Sequence, residues 1–195
     1  MKKRKSDIAK LDFKAAFHYP FNRAKGMWNI LWILVPIIGW LALTGYGVRI
    51  IQEFCEGKFK QLPVFQFKKD LKLGFFMFLK AIPFILVCIV IFSILSLLKL
   101  GFINTLMGIF IIPILTINFI KKMTISSFFE FKILKFVFIH FGDYIVAVLK
   151  SILLAIVFVI MIIILVGLPA LFFTKNMFLA DFYRRRIKII SKGKK

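Results

Sequence analysis

Few side chains here could do chemistry, and those that could are ionisable groups beside long apolar runs. Arg49, Asp143, Lys175 and Asp181 lie within or at the edges of such runs, where burying a charge in lipid is costly and marks a pairing or a pathway. Arg49 has Glu53 four residues on, the spacing of a helical ion pair. Asp143 opens an apolar stretch, where a carboxylate suits the positive end of a helix; capping is preferred there over a transport role. Asp181 precedes Arg184 and Arg185 by one turn and reads as a surface pair. Asp181 and Lys175 could instead line a path. Arg184, Arg185, Arg186 and Lys188, in "RRRIK", are candidate contacts for anionic lipid headgroups, although an ordinary membrane flank has the same composition.

Catalytic constellations are missing. The sequence has no nucleophile elbow, zinc-protease helix, phosphate loop or dinucleotide loop. Cys55 and Cys88 stand far apart, and His18 and His140 lack companion ligands. The expectation is a protein that is not an enzyme, with no catalytic residues, metal or cofactor. Gly45 and Gly47 in "GYGVR" lack phosphate-binding spacing and suit close helix packing.

The elements that must hold these groups are membrane helices. Hydrophobic residues make up 61% of the 195, against about 45–50% in soluble domains, and a core this small cannot hide them. The net charge of +21, from 29 Lys and Arg against 8 Asp and Glu, would suggest nucleic acid in a soluble protein. Here the cations lie between apolar spans, so topology and anionic headgroups explain them and nucleic acid does not. The basic start has no small-residue cleavage site after it, so no cleaved signal peptide is expected.

Charge-free stretches run over residues 26–48, 81–98, 100–120 and 151–174. Eight cations precede the first and seven lie between Arg49 and Lys80. Lys99 stands alone, five fall between Lys121 and Lys150, and eight between Lys175 and Lys195. Four plain crossings would split these groups across the bilayer, against the positive-inside tendency. Three hairpins keep 28 of the 29 on one side. Their tips fall at Pro36–Gly39, Lys99–Gly101 and Gly167–Pro169, where Pro and Gly end or start helices. The first is the shallowest; one kinked crossing of residues 26–48 is the alternative reading. Lys175, two turns beyond Pro169, then lies at apolar depth, so either the return helix is shallow or Lys175 faces a protein or water-lined interior.

Each hairpin follows an amphipathic run: "DFKAAFHYPF" from Asp12, "QFKKDLKLGFF" from Gln66 and "EFKILKFVFIHF" from Glu130. Lys and Phe on a short helix suit the headgroup boundary; Pro63 and Ser127 are the expected starts of the second and third helices. The fold expected is an all-α integral membrane protein, a single membrane domain over residues 1–195. It has four to six membrane helices or half-helices arranged as hairpins, with interfacial helices before them. An internal triplication (residues 12–54, 66–122 and 130–186) is one reading of the runs, chance matches in a Phe- and Lys-rich chain the other. Residues 184–195 form a basic tail.

"AFHYPF" (Ala16–Phe21), Trp28, "VPIIG" (Val35–Gly39), "GYGVRII" (Gly45–Ile51), Gly57, Leu62-Pro63, Gly74 and later "FGDYI" (Phe141–Ile145) come in an order that resembles the domain of unknown function 4013 family of small multi-pass membrane proteins. The resemblance implies that architecture and supplies no activity. It also implies an acid after Leu-Pro, where this chain has Gln66. The function expected is a non-enzymatic membrane scaffold, a bilayer-shaping protein or an accessory subunit of a membrane complex. The alternative is an oligomeric pore, transporter or lipid-moving protein. The expected setting is the plasma (cytoplasmic) membrane, with basic N- and C-termini in the cytoplasm. Expected partners are anionic lipid headgroups and either a second copy or a larger membrane complex.

Overall fold

A computed structural model describes residues 10–186, and among these every regular element is helical. Short helices α1 (Phe13–His18) and α2 (Ala24–Met27) lead into a 3-10 segment, Trp28–Leu34, and then α3 (Ile38–Glu56). Next come α4 (Phe67–Leu97), α5 (Gly101–Leu106) and α6 (Ile112–Lys122). The last four are α7 (Lys132–Ile139), α8 (Phe141–Ile160), α9 (Gly167–Thr174) and α10 (Met177–Arg186).

The first charge-free stretch does not form one helix. Pro36 interrupts it, Ile37 turns with φ 60°, and the 3-10 segment folds back along α3. Gly39 makes this possible, since a Cβ there would lie 1.9 Å from the Trp32 carbonyl oxygen. Trp40 Nε1–H caps the turn by donating to the Ile33 carbonyl at 2.8 Å. At the other end Gly26 packs near the Tyr46 hydroxyl, so the two legs run antiparallel.

α4 and the segment α5–α6 form the second hairpin around Lys99, which has φ 58°. Near its tip Asn104 Nδ2 donates to the Phe92 carbonyl at 3.2 Å and to Ser96 Oγ at 3.0 Å. At its open end Lys80 Nζ donates to the Met123 carbonyl at 2.8 Å. Between α5 and α6 the chain widens into a π segment, Met107–Ile111, just before Pro113, which cannot donate an amide. The Phe110 carbonyl there accepts from Tyr144 Oη at 2.8 Å.

α8 and the return leg α9–α10 form the third. Leu165 has φ 60°, and a Cβ on Gly167 would lie 2.0 Å from the Phe158 carbonyl oxygen. The chain turns at Ile37, at Lys99 and at Leu165, the last just before the expected Gly167–Pro169, which instead begin α9.

α3 and α4 make the most extensive pairing. Their backbones touch at two glycines: a Cβ on Gly45 would lie 1.9 Å from the Asp70 carbonyl oxygen, and one on Gly74 would lie 1.8 Å from that of Leu41. Small residues permit such contact between membrane helices. Gly47 has nothing within 4 Å of its Cβ position and plays no part. Since Leu41 faces Gly74, α4 continues past the first tip for about 30 Å, at 1.5 Å per residue. The first hairpin is therefore shallow beside the second. The core where the legs meet is aromatic: Tyr19, Tyr46, Phe54, Tyr144, Phe158, Phe173 and Phe182 are fully buried.

Phe67–Leu97, Gly101–Lys122 and Phe141–Ile163 are long and apolar enough to cross a membrane. The chain is thus an all-α membrane protein. Only 6% of the apolar window of α4 is buried within the chain, so nearly all of it is left for lipid.

Two local expectations need correction. The run from Gln66 is not a separate interfacial helix; it is the first part of α4, which continues through Pro83. Pro63 and Ser127 do not start helices. α4 begins at Phe67, and Ser127 sits in a 3-10 turn with α7 beginning at Lys132.

Candidate functional site at the cationic face

The open ends of the three hairpins converge and are tied together by polar contacts. Gln52 Nε2 of α3 donates to the Ile120 carbonyl of α6 at 3.0 Å, and Lys121 pairs with Glu56 at 3.3 Å. The Arg184 side chain of α10 packs over Gly57 and the Phe59 ring, 5.4 Å from its centroid.

Three buried or half-buried carboxylates organise this face. Asp181 is 2% exposed. Its Oδ1 accepts from Arg184 at 2.6 Å, and its Oδ2 accepts from Arg185 Nε at 2.8 Å and the Leu11 amide at 3.2 Å. The expected surface pair is an interior one, because α10 is covered by α3, α6, α8 and the segment before α1. Arg184 and Arg185 consequently turn inward, their side chains 15% and 10% exposed, instead of lying free at the headgroups. Arg186 is more open and pairs with Asp143, which also accepts from Lys10 at 3.2 Å. Asp143 sits in the first turn of α8 as expected, yet its carboxylate bridges α8, α10 and the N-terminal segment and makes no cap bond. Lys188 lies outside the described residues.

Arg49 corrects a second pairing. It reaches Asp70, 2.7 Å away, and not Glu53. It also donates to the Val64 carbonyl at 2.7 Å, while Asp70 accepts the Gln66 amide at 2.7 Å. Asp70, fully buried, was not singled out from the sequence. The only signal was an acid one turn before Gly74, in a run otherwise cationic.

Beside this pair is an open cleft of about 430 Å³, with Arg23, Arg49, Lys58 and Lys60 around the single carboxyl of Glu53. Burial lifts the Glu53 carboxyl above its ordinary value. Glu56 is held below it, chiefly by its hydrogen bond to Lys58, and Glu130 chiefly by its bond to Lys122. A further network missed from sequence joins α10 to α6: Tyr183 Oη donates to Asn118 Oδ1 at 2.9 Å, and Asn118 Nδ2 to the Ser127 carbonyl at 2.7 Å.

Lys175 sits apart from these clusters. The return leg breaks at Lys175–Asn176, where Asn176 has φ 66°, and Lys175 is exposed. Arg49, Asp143 and Asp181 therefore gather at the open ends, while Lys175 lies between them and the third tip. Among the described residues no three His, Cys, Asp or Glu come together as a metal site. The arrangement is suited to holding hairpins together and presenting positive charge.

Comparison with known families gives one match. The model for a family described as a protein of unknown function, DUF4013, covers residues 29–167, from the 3-10 leg to the start of α9. No curated protein and no solved structure matches.

Proposed function

The chain belongs to the DUF4013 family of proteins of unknown function, and on that footing we propose that it is a non-enzymatic membrane scaffold that enters the bilayer from its cationic face and shapes it. One observation carries the reading. The three open ends are clamped together at a cation-rich face, while α4 and α5 carry apolar surface about 30 Å beyond the first tip. Such a molecule occupies more area in the leaflet it enters than in the far one, and unequal leaflet area bends a bilayer. The cations that remain outward, among them Lys14, Lys58, Lys60, Lys132 and Arg186, meet anionic headgroups. The setting is the plasma membrane with both basic ends in the cytoplasm. The bare faces of α4 are the place for a second copy or a larger membrane complex.

The test is reconstitution into large vesicles. Vesicles with anionic lipid are expected to tubulate or shrink at low salt, and less so at high salt, because screening weakens headgroup attraction. A lone monomer that leaves anionic vesicles unchanged would overturn the scaffold reading. Ion flux lost on replacing Lys175 or Asp181 would favour a pore instead.

A further inference from the structure

A cavity of about 590 Å³ lies between the first and third hairpins, within the range of about 300–1,000 Å³ usual for ligand sites. Its walls are apolar: Ile30 and Ile33 from the 3-10 leg, Ile152 and Leu154 from α8, Leu168 and Phe172 from α9. Ile33, Ile152, Leu168 and Phe172 are each more than 40% exposed, so the cavity opens to the surface. At the depth of a charge-free belt that surface meets lipid and not water.

The rim is polar and positive. Ser151 and Thr174 spend their hydroxyl protons on the carbonyls one turn back, Ala147 and Ala170. That leaves Lys175 and Asn176 as the groups able to meet a ligand, and no acid lines the cavity. Lys175 makes no ion pair among the described residues. α10 starts at Met177 directly behind it, so the helix dipole adds to the same positive end. Irregular backbone at membrane depth must line a cavity or be buried in protein, and the break at Lys175–Asn176 lines this one.

We propose that this cavity holds an acyl chain of an anionic phospholipid whose phosphate rests at Lys175. The apolar walls take the hydrocarbon and the unpaired ammonium selects the charge. The site is separate from the arginines of α10 and does not depend on the scaffold reading.

Binding is measured on the full-length protein, delipidated in detergent and titrated with phosphatidylglycerol or phosphatidylcholine, with native mass spectrometry counting bound lipid. Wild type is expected to retain phosphatidylglycerol about tenfold better. Lys175→Gln should bring the two lipids to near parity, whereas Lys99→Gln, at the second tip, should leave the preference intact. Ile152→Trp, which fills the open side of the cavity, should lose both lipids; Leu168→Phe serves if that variant fails to fold. Equal retention of the two lipids by wild type would overturn the proposal. So would a preference that survives Lys175→Gln, or full binding in a folded cavity-filled variant. Vesicle remodelling by Lys175→Gln separates the two readings, since the scaffold activity should persist when lipid selection is lost.

Discussion

Replacing Gly74 with leucine is expected to cost about 3 kcal/mol or more, enough to lower Tm by about 10 °C in a chain of this size. The reason is backbone contact. The Cβ position lies 1.8 Å from the Leu41 carbonyl oxygen and 2.8 Å from the Gly45 amide nitrogen, so no rotamer of the new side chain relieves the clash. α3 and α4 must move apart, and the Arg49–Asp70 pair, one turn away, parts with them. Gly45→Ala should behave similarly, because its Cβ would lie 1.9 Å from the Asp70 carbonyl oxygen. Gly47→Ala is the control. Its Cβ meets nothing within 4 Å, so the change should be neutral or stabilise by up to about 1 kcal/mol through helix propensity. Thermal unfolding in detergent reads all three, and a Gly74→Leu protein as stable as wild type would contradict the close crossing.

Asp181→Ala should be as damaging by a different route. Its carboxylate is the shared acceptor for Arg184, Arg185 and the Leu11 amide, and both guanidinium groups are largely buried. Removing one partner of a buried charge pair costs about 3–5 kcal/mol, because the remaining charge keeps its desolvation cost. The clamp on the N-terminal segment goes as well, so protease should cut near Leu11 faster. Asp12→Asn is the comparison: that side chain is exposed and caps α1 through the Lys14 amide alone, and asparagine caps about as well, so the change should be nearly neutral. Equal effects from the two substitutions would rule out the buried clamp.

What could be read from sequence was whatever charge spacing and breaker residues control. Pro36 and Lys99 sit at reversals and Gly167 just after one, because Pro interrupts a helix, a lone cation is costly in lipid, and Gly lets the returning leg approach the Phe158 carbonyl. Partner choice was not legible. Arg49 has an acid four residues away in Glu53, yet it pairs with Asp70, 21 residues on, because Gly45 and Gly74 bring α3 against α4. Asp181 with Arg184 and Arg185 has the same spacing whether the helix face is wet or buried, and only the packing of α10 decides. The break at Lys175–Asn176 carries neither Pro nor Gly; its one local signal is Asn176, a residue type that tolerates positive φ. The amphipathic start of α4 runs on into its apolar part because the one weak helix former between Phe67 and Pro83, Gly74, is held within the helix by its contact with α3.

Whether the three open ends share one face of the bilayer is tested most directly by cysteine accessibility in sealed vesicles. Single cysteines at Lys14, Lys58, Lys99 and Lys132, all exposed positions, go into a background with Cys55 and Cys88 replaced, and a membrane-impermeant reagent reports the side. The hairpin arrangement predicts that positions 14, 58 and 132 label from the same side and position 99 from the other. Position 58 labelling opposite to 14, with 99 on the side of 14, would mean simple alternating crossings and would contradict it.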